Sequence, residues 1–185
     1  MKLTIDNFKS MMNLSLANVK AREEEFSKLD AIAGDGDHGT AIVTALTIIA
    51  GDAQQGTEFP AMLNDMGMGE ALEPLGVTDE LNAAQVKVMF RGGLTGVEEQ
   101  TKAKLGDKTM MDALVPAVVA IESCDSEDVK ELLKAGAEAA LKGAEATVNM
   151  KANFGRARNL GERSVGFAGA TSWACLFESF YQGLE

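Results

Sequence analysis

The 185 residues carry 28 acidic against 17 basic side chains, for a net charge of −11, and 46% of them are apolar. That apolar share sustains one folded domain and speaks against disorder. A pI near 4.6 argues against a nucleic-acid or anionic-membrane partner, since either polyanion would be repelled. Cys124 and Cys175 are too few for a disulfide framework, MKLTIDNFKS lacks the apolar core of a signal peptide, and no apolar run approaches the roughly 20 residues of a membrane span. The expectation is one cytoplasmic helical domain over residues 1–185.

Aromatic residues make up only 5% of the chain and there are three prolines, while Ala, Leu, Met, Glu and Lys recur, a palette that favours helix over strand. Phe8, Met12, Leu16, Val19, Phe26 and Leu29 follow helical spacing, so Thr4 to Leu29 reads as a single amphipathic helix. A glycine-rich turn at Gly34–Gly39 follows, and AIVTALTIIA begins a second, nearly all-apolar helix. From Phe59 to Gln100 the frequent glycines predict short or interrupted helices. DKTMMDALVPAVVAI, from Asp107, places Met110, Met111, Leu114, Val118 and Ile121 on one side, with Pro116 expected to kink the helix or mark its boundary. Asp125 or Ser126 is a suitable N-cap for the next helix, whose stripe runs from Val129 to Val148. A last helix spans about Gly169 to Gln182. No convincing alternating strand or internal repeat is present, and the class is all-α.

The chemically informative stretch is LDAIAGDGDHGTAIVTAL, residues 29–46, which gathers Asp30, Asp35, Asp37 and the only histidine, His38, among Gly34, Gly36 and Gly39. As a string it satisfies G-x-G-x-x-G, but the dinucleotide fingerprint needs a preceding strand and a bare backbone against pyrophosphate. Here a helix precedes it and carboxylates would repel the phosphates. An EF-hand also fails: with Asp35 as its first position, the fifth is Gly39 and the twelfth is Leu46, where a bidentate Glu is required. No Gly-Lys pair exists, so there is no Walker A loop. What remains is a carboxylate cluster able to hold divalent cations on a turn that feeds a helix N-terminus. Mg²⁺ takes one or two carboxylates and completes its shell with water and phosphate oxygens. The free amides of a helix starting near Thr40 add anion affinity. Arg156, Arg158, Arg163 and Lys108 are candidate cations for phosphate, against the ordinary alternative of solvated surface charge. Asp107 and Asp112 read as residues that cap or start a helix rather than bind metal. Ser164, Thr171 and Ser172 suggest no nucleophilic triad, because no second histidine exists.

LDAIAGDGDHGTAIVTAL, then LGDKTMMDALVPA at 105–117, GRARNLGERSVG at 155–166 and GATS at 169–172 occur in a characteristic order. With them the chain resembles the nucleotide-binding L subunit, or L domain, of dihydroxyacetone kinase over most of its length. The resemblance implies an antiparallel barrel of about eight amphipathic helices that holds ADP or ATP at one end through two Mg²⁺ ions. It implies Asp30, Asp35 and Asp37 as metal ligands, His38, Gly39, Thr40 and Ala41 at the phosphates, and Gly106 and Arg156 as further nucleotide contacts. Two departures stand out. The family's Gly-Gly-(Ala/Thr/Ser)-(Thr/Ser)-Gly-Pro-Leu-Tyr-Gly stretch is missing where LNDMG, 63–67, meets MGEALEPLG, 68–76. After Gly166 the family's His and Asp are missing, and Phe167 and Ala168 lead directly to Gly169.

The expected activity is that of a phosphotransferase subunit passing phosphate to dihydroxyacetone or a related short keto sugar. A substrate-binding dihydroxyacetone kinase subunit would hold that sugar, because the one histidine here is committed to the metal loop and no catalytic residue is expected in this chain. The phosphoryl donor is left open between ATP and a phosphoprotein that recharges bound ADP. The alternative is a non-catalytic nucleotide- or metal-sensing interaction module, which the two missing segments favour.

Overall fold

The structure is a computed structural model that describes residues 1–65 and 79–184. The junction after Gly67 therefore lies outside the described residues. Among the described residues eight α-helices carry the fold: α1 (Ile5–Ala21), α2 (Glu23–Ala31), α3 (His38–Gln55), α4 (Phe59–Asp65), α5 (Ala83–Gln100), α6 (Met111–Ser123), α7 (Val129–Ala146) and α8 (Thr171–Gln182). Two 3₁₀ segments, Thr147–Asn149 and Arg156–Ser164, connect α7 to α8. The all-α expectation holds with one small addition. Leu3–Thr4 (β1) pairs antiparallel with Glu80–Leu81 (β2), a ladder too short for an alternating pattern to announce. No helix among the described residues is long and apolar enough to cross a membrane.

The first helix does not run unbroken to Leu29. A Thr4–Asn7 capping box opens α1, in which Thr4 Oγ1 accepts from the Asn7 amide at 3.2 Å. The chain then leaves helical geometry at Arg22 (φ −111°, ψ 11°). Neither Gly nor Pro causes the break. The Arg22 guanidinium donates twice to Glu25, at 2.7 and 2.8 Å, and lies 5.0 Å from the Phe26 ring centroid. The bend delivers Phe26 into a small apolar cluster with Val19, Leu46, Cys175 and Leu176. Burial of one aromatic there outweighs the lost helical bond.

The expectation of short or interrupted helices from Phe59 to Gln100 holds for α4, seven residues long, and fails for α5. Gly92, Gly93 and Gly96 lie inside one continuous helix of 18 residues, α5. Each glycine costs roughly 1 kcal/mol of helix propensity. A capping box between Asn82 and Gln85 and the burial of Val86, Met89 and Leu94 offset that cost. Gly93 and Gly96 also border an apolar cavity of about 720 Å³ between the helices, with Phe8, Met12, Phe90 and Phe177 in its wall. The cap of α7 is Asp128, whose carboxylate accepts from the Lys130 amide at 3.0 Å, rather than Asp125 or Ser126. Pro116 sits well inside α6.

The helices pack largely with their sequence neighbours: α6 on α7, α7 on α8, α2 on α3, and α1 against both α3 and α8. Phe90, Phe177 and Phe180 form a tilted aromatic group, with centroids 5.6–6.1 Å apart, that ties α5 to α8. The cysteines are free, Cys124 half-buried and Cys175 buried. Burial is the main cause that raises the Cys175 thiol above its ordinary pKa. At pH 8 Cys124 should therefore alkylate readily and Cys175 only after denaturant is added. Mass spectrometry of two adducts on the folded chain would contradict this packing.

Candidate functional site

The acidic turn between α2 and α3 folds around its own carboxylates. Asp30, in the last turn of α2, accepts from the Gly36 amide through Oδ2 at 2.8 Å. This closes the loop into a ring and draws the other two aspartates toward it. One carboxylate oxygen from each of Asp30, Asp35 and Asp37 lies within 4.8 Å of the others, Asp30 half-buried and the other two exposed. An all-oxygen donor set of this size and charge suits a hard divalent cation that retains water or phosphate ligands. The Arg156 guanidinium, from the second 3₁₀ segment, pairs with Asp35. Its hydrogen bond is the largest cause holding the Asp35 carboxyl below the ordinary aspartate range.

The four residues after Asp37 build the helix end beside this cluster. His38 begins α3, and its Nε2 lies 2.8 Å from the hydroxyl of Ser172 in the first turn of α8. Gly39 is buried against α2, where a Cβ would lie 2.1 Å from the Glu23 carbonyl oxygen. Only glycine admits that approach, which sets α3 tightly beside α2. Thr40 donates its hydroxyl to Glu23 Oε1 at 2.9 Å. Ala41 closes the first helical bond, its amide donating to the Asp37 carbonyl at 2.9 Å.

A cavity of about 190 Å³ opens beneath the acidic loop, with Asp30, His38, Lys108, Phe167, Ser172 and Trp173 among its walls. The structure thus brings Asp30, Asp35, Asp37, His38 and Arg156 into one neighbourhood. Gly106 is not in that cavity wall. It sits in the turn before α6, its amide donating to Asp112 Oδ1 at 2.6 Å. Asp112 Oδ2 accepts from the Thr109 amide at 2.8 Å, and Asp107 accepts from the Lys104 amide at 2.7 Å. Both aspartates brace the turn; Asp112 stands in the first turn of α6 as expected, but neither caps that helix, whose N-cap is Met110. Lys108 departs from expectation. It is buried, and its ammonium donates to the carbonyls of Thr147, Met150 and Phe167. It is neither solvated surface charge nor a cation free to meet phosphate. Sequence reasoning also missed Glu23 as the partner of Thr40 and Ser172 as the partner of His38. Those pairings span 17 and 134 residues and leave no local pattern.

After Gly166 the shortened segment is held at both ends. The Gly166 amide donates to the Val148 carbonyl at 2.8 Å and the Gly169 amide to Thr147 Oγ1 at 2.7 Å.

Comparison with known proteins agrees with this architecture. The chain is 34% identical to the ADP-binding subunit DhaL of the PEP-dependent dihydroxyacetone kinase of Escherichia coli, over 80% of this chain and 82% of that protein. It is 34% identical to a D-erythrulose kinase of Mycolicibacterium smegmatis over 82% of this chain, which spans only 31% of that protein. The crystal structure of the dihydroxyacetone kinase of C. freundii superposes with a TM-score of 0.62 at 22% identity, covering 94% of this chain and 34% of that one. That superposition establishes the shared helical fold. Residues 66–182 match the DAK2 domain, and the chain belongs to the DAK2 domain family.

Proposed function

We propose that this chain, as one helical domain over residues 1–185, is the nucleotide-carrying part of a kinase for dihydroxyacetone or a related short keto sugar. The observation that carries this reading is the convergence of the Asp30, Asp35 and Asp37 carboxylates at the N-terminus of α3 with Arg156 beside them. The names of the relatives support it: an ADP-binding subunit and an erythrulose kinase. The C. freundii enzyme has also been crystallised with AMP-PNP and Mg²⁺.

In this reading Asp30, Asp35 and Asp37 hold two Mg²⁺ ions, which when bound neutralise the phosphate charge that the acidic chain would otherwise repel. His38, Gly39, Thr40 and Ala41 offer the helix N-terminus to the phosphates of ADP or ATP, while Gly106 and Arg156 help hold the nucleotide. Phosphoryl transfer asks the protein mainly to position groups and balance charge, which this residue set is equipped to do. The keto sugar is held by a substrate-binding partner subunit, because no residue here offers a means of fixing it covalently. ATP or a phosphoprotein supplies the phosphoryl group.

The segment after Gly166 favours a second reading, a nucleotide-sensing module without turnover. The family's His and Asp are absent there, and the backbone is tied down by Val148 and Thr147. Two measurements decide. Calorimetric titration should show ADP binding that requires Mg²⁺, with weak discrimination between ADP and GDP. The chain mixed with a dihydroxyacetone kinase substrate-binding subunit should form phosphorylated dihydroxyacetone, and the chain alone should form none. Binding without turnover in the mixture selects the sensing module. Absence of Mg²⁺-dependent ADP binding rejects both readings.

A further inference from the structure

Lys108 is the one residue other than glycine with a positive φ among the described residues, at +61°. A left-handed backbone at a residue with a Cβ is costly and persists only where its surroundings over-determine it. Those surroundings are unusual. The ammonium donates to the carbonyl oxygens of Thr147 at 2.8 Å, Met150 at 3.2 Å and Phe167 at 2.7 Å. The Phe167 ring centroid lies 4.7 Å from Nζ. A lysine ammonium has three protons, and all three are spent on main-chain oxygens from two separate segments. None remains for a phosphate. The residue therefore cannot act as the phosphate-binding cation that its charge suggested.

Its partners define what it does. Thr147 and Met150 flank the turn after α7, and Phe167 lies in the shortened approach to α8. The strap is reinforced by Asn153, whose amide donates to the Asp107 carbonyl at 3.2 Å, and by the Gly166 and Gly169 amides on Val148 and Thr147. The turn carrying Gly106, the turn after α7 and the entry to α8 thus form one wall around a single ammonium. That wall presents Ser172 to His38 across the cavity. The acidic loop is built on α2 and α3 and shares no hydrogen bond with Lys108; it meets the other side through the Arg156–Asp35 pair and the His38–Ser172 contact.

We infer that Lys108 is a positioning residue for the nucleotide: its caged ammonium fixes the wall formed by residues 106–109, 147–150 and 167–172 against the carboxylate loop. This rests on the nucleotide-carrying reading above and adds the residue that sets the width of the site.

The test separates the two halves of the site. ADP affinity is measured by calorimetry with Mg²⁺ present, and Mn²⁺ affinity by electron paramagnetic resonance without nucleotide, on the full chain and on Lys108→Met and Lys108→Gly. Both variants should bind ADP at least tenfold more weakly, with Mn²⁺ affinity changed less than twofold. A purely structural lysine would leave the two affinities moving together. Glycine relieves the backbone strain and still lacks the ammonium, so equal losses in the two variants assign the effect to the cage. Should Lys108→Met fail to fold, Lys108→Gln, which retains two donors, takes its place with an expected intermediate loss. Unchanged ADP affinity in the variants, or ADP and Mn²⁺ affinities falling in parallel, overturns the assignment while the nucleotide-carrying reading stands. Absence of ADP binding by the unaltered chain overturns both.

Discussion

Asp35→Asn and Asp37→Asn should each weaken Mg²⁺-dependent ADP binding by more than about 100-fold, or roughly 2.8 kcal/mol, while Asp107→Asn should cost less than about threefold. Groups that merely orient a metal ligand typically contribute on the order of 10- to 100-fold in metal affinity, and loss of a ligand should exceed that. The carboxylates of Asp35 and Asp37 are exposed and lie within 4.8 Å of each other and of Asp30, so each adds its charge directly to the same small volume. Asp107 carries the same charge but spends it on the Lys104 amide at 2.7 Å, in a turn outside the cluster of Asp30, Asp35 and Asp37. The variants should also differ without metal. Asp37→Asn relieves like-charge repulsion with no hydrogen bond of the α3 cap to lose, and should raise stability by about 0.3 kcal/mol. Asp35→Asn gives up the Arg156 pair as well and should be close to neutral. Titration calorimetry with thermal melts in chelator reads both effects. Equal losses of ADP affinity at residues 35, 37 and 107 would remove the carboxylate loop from the site.

The helices α3, α6, α7 and α8 were legible because their apolar residues recur at helical spacing and turn residues bound them. The break at Arg22 was not, because the apolar period passes straight through it. Only the destination of Phe26, a cluster completed by α3 and α8, makes the bend worthwhile. The glycines of α5 misled for a related reason: propensity is local, whereas the caps and buried side chains that offset it are not. The acidic loop was the most legible part of the site, since its three aspartates and His38 fall within nine residues of sequence. Lys108 was the least legible. Its partners lie 39, 42 and 59 residues away, and each contributes a carbonyl, a group every residue possesses and no sequence pattern marks.

Gly143→Ala should destabilise the fold by about 2–3 kcal/mol, whereas Gly51→Ala should stabilise it by about 0.5–1 kcal/mol. Both glycines lie inside helices, where replacement by alanine ordinarily gains about 1 kcal/mol. Around Gly51 a Cβ would meet nothing within 4 Å, so the ordinary gain applies. At Gly143 the Cβ would lie 1.9 Å from the Asp112 carbonyl oxygen and 3.3 Å from Pro116 Cγ. The proline explains why α7 comes so close: lacking an N–H, Pro116 cannot donate to the carbonyl of Asp112 four residues earlier, and that oxygen faces Gly143 instead. Two backbones meet there, and neither can yield unless α6 and α7 part. For a chain of this length the melting temperature should fall by roughly 5–10 °C in Gly143→Ala and rise by about 2–3 °C in Gly51→Ala. The consequence extends to the site, because the displaced residue is Asp112, whose carboxylate holds the Gly106 and Thr109 amides. Gly143→Ala should therefore bind ADP several-fold more weakly even well below its melting temperature, while Gly51→Ala binds it unchanged. Equal melting temperatures in the two variants would show that α6 and α7 do not approach through the Asp112 carbonyl, and would remove this route from helix packing to the Gly106 turn.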